Sequence, residues 1–145
     1  MPDNMSVAQR SWTMSQIRSK DTKPERIVRS FLHTSGYRFR LHQHSLPGVP
    51  DIVLPRFRVA IFVHGCFWHR HSNCRYATCP RNNKRYWRQK LAGNVLRDQK
   101  NIKALKSAGW HVITIWECQI KSSPVKVQQH LFQALKKMAS HISCD

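Results

Sequence analysis

Between His64 and Cys74 the chain reads His64-Gly65-Cys66-Phe67-Trp68-His69-Arg70-His71-Ser72-Asn73-Cys74, packing two thiols, three imidazoles and two adjacent large aromatics into eleven residues. Thiolates and imidazoles are the donors that Zn²⁺ takes in closed tetrahedral sites. Cys66, His71 and Cys74 supply three of them, so a fourth must come from elsewhere. Two neighbouring aromatics inside a polar, metal-fixed loop cannot both face one core. Phe67 and Trp68 are therefore expected to face a partner, and flat rings presented by a loop can wedge between stacked bases.

The fourth ligand is expected to be Cys118, at the end of the apolar run Trp110–Glu117. If that run lies beside Val59–Val63, as adjacent apolar strands would, both strand ends face the same loop. A Cys-His-Cys-Cys site would then pin a loop with little apolar content of its own. Cys79 could replace Cys74, and Cys118 could instead be a buried free thiol. Cys144 has no partner pattern.

A second set of residues suits phosphoryl chemistry. Asp51 is one of only seven acids in the chain, and it follows the turn Leu46-Pro47-Gly48-Val49-Pro50 to open a strand. An acid at a strand edge in a phosphate-binding face suits Mg²⁺. The Val63 carbonyl can share that metal. His64 and His69 flank this point and are free if zinc takes His71. Asp98 lies on the helix after the loop and Glu25 on the helix before it. Each has a plainer reading: Glu25 as a helix N-terminal charge, Asp98 as a surface pair, Asp51 as a turn cap.

The charge balance names the partner class. There are 25 Lys and Arg against 7 Asp and Glu, a net charge of +18, spread along the chain and not held in one tail. A basic body suggests a large face laid on phosphates. No apolar run is long enough to span a membrane, and Met1–Arg10 lacks the apolar core of a secretory signal. Five cysteines beside several histidines argue for metal in a reducing cytoplasm over a disulfide framework.

The elements that must position these residues follow from periodicity. Ser11–Ser19 has Trp12, Met14 and Ile17, too little apolar content for an independent core helix. The next helix has Asp21 and Thr22 as cap candidates, Pro24 in its first turn, the stripe Ile27, Val28, Phe31 and Leu32, and Gly36 to end it. Tyr37–Leu41 reads as a strand, as does Asp51–Leu54. Val59–Val63 is a continuous apolar run that fits a central strand covered on both sides. A long helix runs from about Tyr86 to Ala108, with Trp87, Leu91, Val95, Ile102 and Leu105 near one face and Gly109 as its cap. Trp110–Trp116 is another strand, and Ser123-Pro124 opens a last helix to about Ala139. The order α-α-β-β-β-α-β-α predicts an α/β fold, a mixed sheet with helices on both sides. At 145 residues one domain is expected, spanning 1–145.

Together the motifs resemble the very short patch repair (Vsr) DNA mismatch endonucleases. The residues that carry the resemblance are Arg18–Glu25, Leu46–Asp51, Phe62–His69, Asn94–Asp98 and Gly109-Trp110 through Trp116–Cys118, in family order over roughly residues 11 to 121. The resemblance implies a restriction-endonuclease-like fold and a Mg²⁺-dependent nick 5′ of the thymine in a T·G mismatch, the lesion left when 5-methylcytosine deaminates. It implies Asp51 and the Val63 carbonyl on Mg²⁺, His69 as general base with Asp98 orienting it, His64 supporting the attacked phosphate or the water on the metal, and Glu25 holding such water. It implies that Phe67 and Trp68 enter the duplex beside the mismatch from the major groove. Met14 and Ile17, within an N-terminal DNA-contacting segment (residues 1–20), would intrude from the minor-groove side. A monomer is expected, cytoplasmic and acting at the nucleoid, with a functional link to a cytosine-5 DNA methyltransferase and to mismatch-repair proteins.

Two departures from the family pattern stand out. Two residues separate His71 from Cys74 where some members have one, which keeps both Cys74 and Cys79 open. The family lacks the lysine usual in the wider nuclease fold, and here His64 follows Val63, so histidines must do what lysine does elsewhere. Two other readings fit parts of the pattern: a non-catalytic zinc-binding nucleic-acid module, and a nuclease of the same fold with another substrate.

Overall fold

The computed structural model describes residues 22–142. Helix α1 (Lys23–Thr34) opens where Thr22 Oγ1 accepts a hydrogen bond from the Glu25 N–H at 3.4 Å, with Pro24 in the first turn. It ends where the N–H groups of Gly36 and Tyr37 close back on the carbonyls of His33 and Leu32. The other cap candidate, Asp21, and the Ser11–Ser19 segment lie outside the described residues.

Four strands follow: β1 (Arg40–Leu41), β2 (Ile52–Leu54), β3 (Val59–His64) and β4 (His111–Trp116). The sheet order is β1-β2-β3-β4, antiparallel for the first two pairs and parallel for β3 with β4. The strand expected over Tyr37–Leu41 is reduced to its last two residues. Its start is captured by tertiary packing, since the Tyr37 ring lies 5.8 Å from that of Phe57 and 5.9 Å from that of Phe132. Pro55 ends β2 in a short 3₁₀ turn, Pro55–Phe57.

The crossover from β3 to β4 runs through the loop that carries Cys66, His71 and Cys74 and then helix α2 (Lys84–Ser107). Gly109, at φ 88°, closes that helix in a left-handed conformation that a side chain would resist, and the chain turns straight into β4. A short helix α3 (Glu117–Ser122) follows β4, and α4 (Pro124–Ile142) returns along the sheet. Sequence periodicity did not separate α3 from the strand before it.

Helices cover both faces of the sheet. On one face α1, α3 and α4 bury Val28, Leu32, Ile120, Val127, Leu131 and Leu135 against Ile52, Leu54, Val59, Ile61 and Ile115. On the other, α2 buries Leu105 against Ala60 and Phe62. Each such side chain contributes roughly 1.5–3 kcal/mol when fully buried, so the first face holds most of the stability. The α2 face is thin in apolar residues, which leaves room there for polar chemistry. Alternation along β3 puts His64 on that face, two residues beyond Phe62.

Candidate active site and metal cluster

The parallel register aligns Val59 with His111 and His64 with Trp116, so β3 and β4 end side by side. The loop leaves from the first end, and Cys118 sits two residues beyond the second. One donor atom each from Cys66, His71, Cys74 and Cys118 lie within 4.8 Å of one another. Cys118 Sγ is 3.3 Å and Cys66 Sγ 3.7 Å from His71 Nδ1. A tetrahedral zinc with ordinary bond lengths would set sulfur and nitrogen about 3.6 Å apart, so the spacing suits that ion. Burial pushes the Cys66 thiol up to about 12; a backbone hydrogen bond from Cys118 opposes the rise and the neighbouring sulfurs of Cys118 and Cys74 add to it. A cation bound among these thiols would hold them as thiolates. Cys118 lies in the first turn of α3 and not on the strand, and Cys79 is exposed outside the cluster. The His71 ring also stacks on Trp116, centroids 4.2 Å apart.

The same loop carries the histidines. It curls tightly after β3, with the His69 N–H on the Gly65 carbonyl and the His71 N–H on that of Cys66. This turn brings His69 back over His64, with the two rings parallel and 3.8 Å apart. His69 Nδ1 meets Asp98 Oδ2 of α2 at 2.6 Å. A carboxylate oxygen accepts, so Nδ1 bears the proton in this contact, and in the neutral form of the ring the lone pair is on Nε2. His64 is lowered to about 4, first by burial and then by the neighbouring His69, with Asp98 opposing. It is a neutral imidazole at pH 7.

Across the cleft, Asp51 Oδ2 accepts the Val63 N–H at 2.8 Å. Burial raises Asp51 to about 6; the Val63 hydrogen bond opposes this and the nearby Glu25 carboxylate adds to it. Glu25, only 1% exposed, lies behind Asp51. Its Oε1 accepts from Arg29 Nη2 at 2.8 Å and meets His42 Nε2 at 2.5 Å. Donor atoms of Glu25, His42 and Asp51 also lie within 4.8 Å of one another. Two carboxylates with an imidazole beside them could hold a divalent cation. Asp51, Val63, His64, His69 and Asp98 line one cavity of about 200 Å³. Its rim includes Gly48, at φ 75°, where a Cβ would come within 2.9 Å of Asn101 Cβ.

The aromatics depart from expectation in one respect. Phe67 and Trp68 are both half-buried, and both contact one platform: Trp87 of α2, centroids 5.7 and 6.1 Å away. The loop curl turns consecutive residues to the same side, so two neighbours do share a surface. Asn94 Nδ2 donates to the Trp68 carbonyl at 3.1 Å and ties the turn to α2. Met14 and Ile17 lie outside the described residues. Sequence reasoning missed His42, Trp87 as the platform, and Trp116. His42 stands in no motif, and its only signal was an imidazole nine positions before Asp51.

The family described as DNA mismatch endonuclease Vsr matches residues 2–75. The DNA mismatch endonuclease Vsr of Escherichia coli K12 is 36% identical over 137 residues, covering 94% of this chain and 87% of that protein. This chain belongs to the Vsr family. A second relative, the type II nicking enzyme V.XorIIP of Xanthomonas oryzae pv. oryzae, is 49% identical over 120 residues, 83% of this chain and 88% of its own. The catalytic domain of the homing endonuclease I-Bth0305I superposes with a TM-score of 0.58 at 22% identity, covering 81% of this chain and 98% of that domain. That likeness gives the restriction-endonuclease-like fold. As a Vsr-family protein the chain is a DNA endonuclease. No helix among the described residues is long and apolar enough to cross a membrane.

Proposed function

We propose that this protein nicks double-stranded DNA 5′ of the thymine in a T·G mismatch, in a Mg²⁺-dependent hydrolysis that begins very short patch repair. The observation that carries the reading is the cleft in which the His69–Asp98 pair faces the Asp51 carboxylate. Asp51 and the Val63 carbonyl would hold Mg²⁺, with Glu25 beside them. Bound there, the ion supplies positive charge to a phosphodiester whose negative charge grows in the transition state.

The chain's own groups do the rest. Asp98 holds the Nδ1 proton of His69, which leaves Nε2 to take a proton from the attacking water. His64, neutral and stacked on His69, can donate a hydrogen bond to a phosphate oxygen without competing for charge. Phe67 and Trp68 would enter the duplex at the mismatch, where a weakly paired step costs less to unstack than a paired one. Zinc on Cys66, His71, Cys74 and Cys118 would fix the loop that presents them. Residues 1–20, with Met14 and Ile17, would meet the duplex from its other groove. One such cleft in one chain cuts one strand, which is a nick and not a double-strand break. The similarity to V.XorIIP, a type II nicking enzyme, supports the same outcome.

The test is a pair of duplexes, one with a central T·G and one with T·A, incubated with and without Mg²⁺. A single nick in the T·G duplex that requires Mg²⁺ is expected. Equal cutting of both duplexes would assign a nuclease of another specificity, and binding without cutting would assign a non-catalytic module.

A further inference from the structure

We infer that His42 is a positioning residue of the cleft, one that clamps the Glu25 carboxylate toward Asp51 so that the two acids present a divalent-cation site. The inference rests on the reading above in placing the metal at Asp51. It concerns a residue that belongs to none of the motifs by which the family is recognised in this sequence.

The geometry is built from both ends of the residue. The backbone N–H of His42 donates to the Asp51 carbonyl at 3.1 Å, so the two residues are tied across the β1-β2 edge. Its φ is 46°, in the left-handed region that non-glycine residues seldom adopt. Such a conformation persists where surrounding contacts hold it, and it gathers at functional sites. Here it turns the ring inward, where Nε2 reaches Glu25 Oε1 at 2.5 Å.

Glu25 comes from the first turn of α1 and Asp51 from the residue just before β2, with no covalent reason to converge. Two carboxylates this close repel each other. Arg29 neutralises Glu25 from its own helix, at i+4. His42 is the group that reaches both acids from the sheet side, through its ring to one and its backbone to the other. Hydrogen-bonding partners of metal-binding carboxylates fix their orientation, and losing one typically lowers metal affinity 10–100-fold.

The experiment compares His42→Phe with His42→Gln. Phenylalanine keeps a ring of similar volume but removes the donor. Glutamine keeps an N–H donor on a side chain of similar reach. Both carry a Cβ into the same left-handed backbone, so strain is shared. Mn²⁺ binding to the full chain without DNA is measured by the loss of the free-ion electron paramagnetic resonance signal, with Asp51→Ala marking the site. Melting temperatures report folding separately.

His42→Phe is expected to weaken Mn²⁺ binding about tenfold or more, and His42→Gln to restore most of it. Mn²⁺ affinity in His42→Phe equal to the parent would overturn the inference. So would a His42→Gln variant as weak as His42→Phe while both melt alike. If the parent binds Mn²⁺ but cuts T·G and T·A duplexes equally, the mismatch reading fails and the role of His42 stands.

Discussion

His69 Nδ1 lies 2.6 Å from Asp98 Oδ2 and joins the cysteine- and histidine-rich loop to the middle of the long helix α2. The contact fixes both ring orientation and tautomer. Asp98→Asn removes the obligate acceptor and lets the ring proton move to Nε2, where it blocks proton uptake from water. The cleavage step should slow by roughly 10²-fold or more, the range for a disabled general base. Mismatch-duplex affinity should hold, because neither atom of the pair is needed to meet phosphates. Single-turnover nicking alongside a binding titration separates the two.

Asp51 carries a pH prediction. Its folded pKa, about 6, stands above the ordinary 3.8, so the folded protein holds the proton more tightly than the unfolded chain. That contribution is fully present below pH 3.8 and is lost as pH rises through about 6. Metal-free Asp51→Asn should therefore melt higher than the parent at pH 7 and equal to it near pH 3.5. Added Mg²⁺ should raise the melting temperature of the parent alone, and nicking should be abolished in the variant. Thermal scans across pH, with and without Mg²⁺, read all three.

The cysteine cluster predicts one tightly held zinc per chain. Cys118→Ser should lower zinc content and melting temperature together, because metal binding is linked to folding. Cys79→Ser should change neither, since Cys79 lies outside the cluster. Elemental analysis of each variant decides it, and loss of zinc in Cys79→Ser alone would reassign the ligands.

Phe67 and Trp68 rest on Trp87 without being fully covered. Replacing both by alanine should lower stability by less than the roughly 3–5 kcal/mol expected for a fully buried ring, and should weaken discrimination between T·G and T·A. Trp87, at 4% exposure, is the structural member of the trio, and Trp87→Ala should destabilise more. Melting and nicking selectivity on the same preparations distinguish wedge from platform.

The sequence made some of this legible and hid the rest for physical reasons. Val59–Val63 and the run after Trp110 are continuous apolar stretches, and such strands pair at the centre of a covered sheet. Their pairing was therefore readable, and with it the approach of Cys118 to the loop. Asp98 and His69 were readable as residue types, but their contact depends on how far the loop curls. His42 was not readable, because its role rests on a left-handed backbone that no local pattern marks. Tyr37 read as strand because an aromatic favours extended backbone, yet Phe57 and Phe132 bind its ring and the ladder starts only at Arg40. The helix α3 was hidden for the opposite reason: at six residues it is too short to show a period.

From the last residue of β3 onward, residues of the two clusters alternate: His64, Cys66, His69, His71. A deletion or insertion anywhere among these positions would shift the frame of both clusters at once. The segment from His64 to His71 should thus accept almost no change in length. Beyond Cys74, the exposed stretch leading into α2 has no such double duty. Length variation between relatives should gather outside the His64–His71 segment, as hinges and spacers do outside a rigid joint.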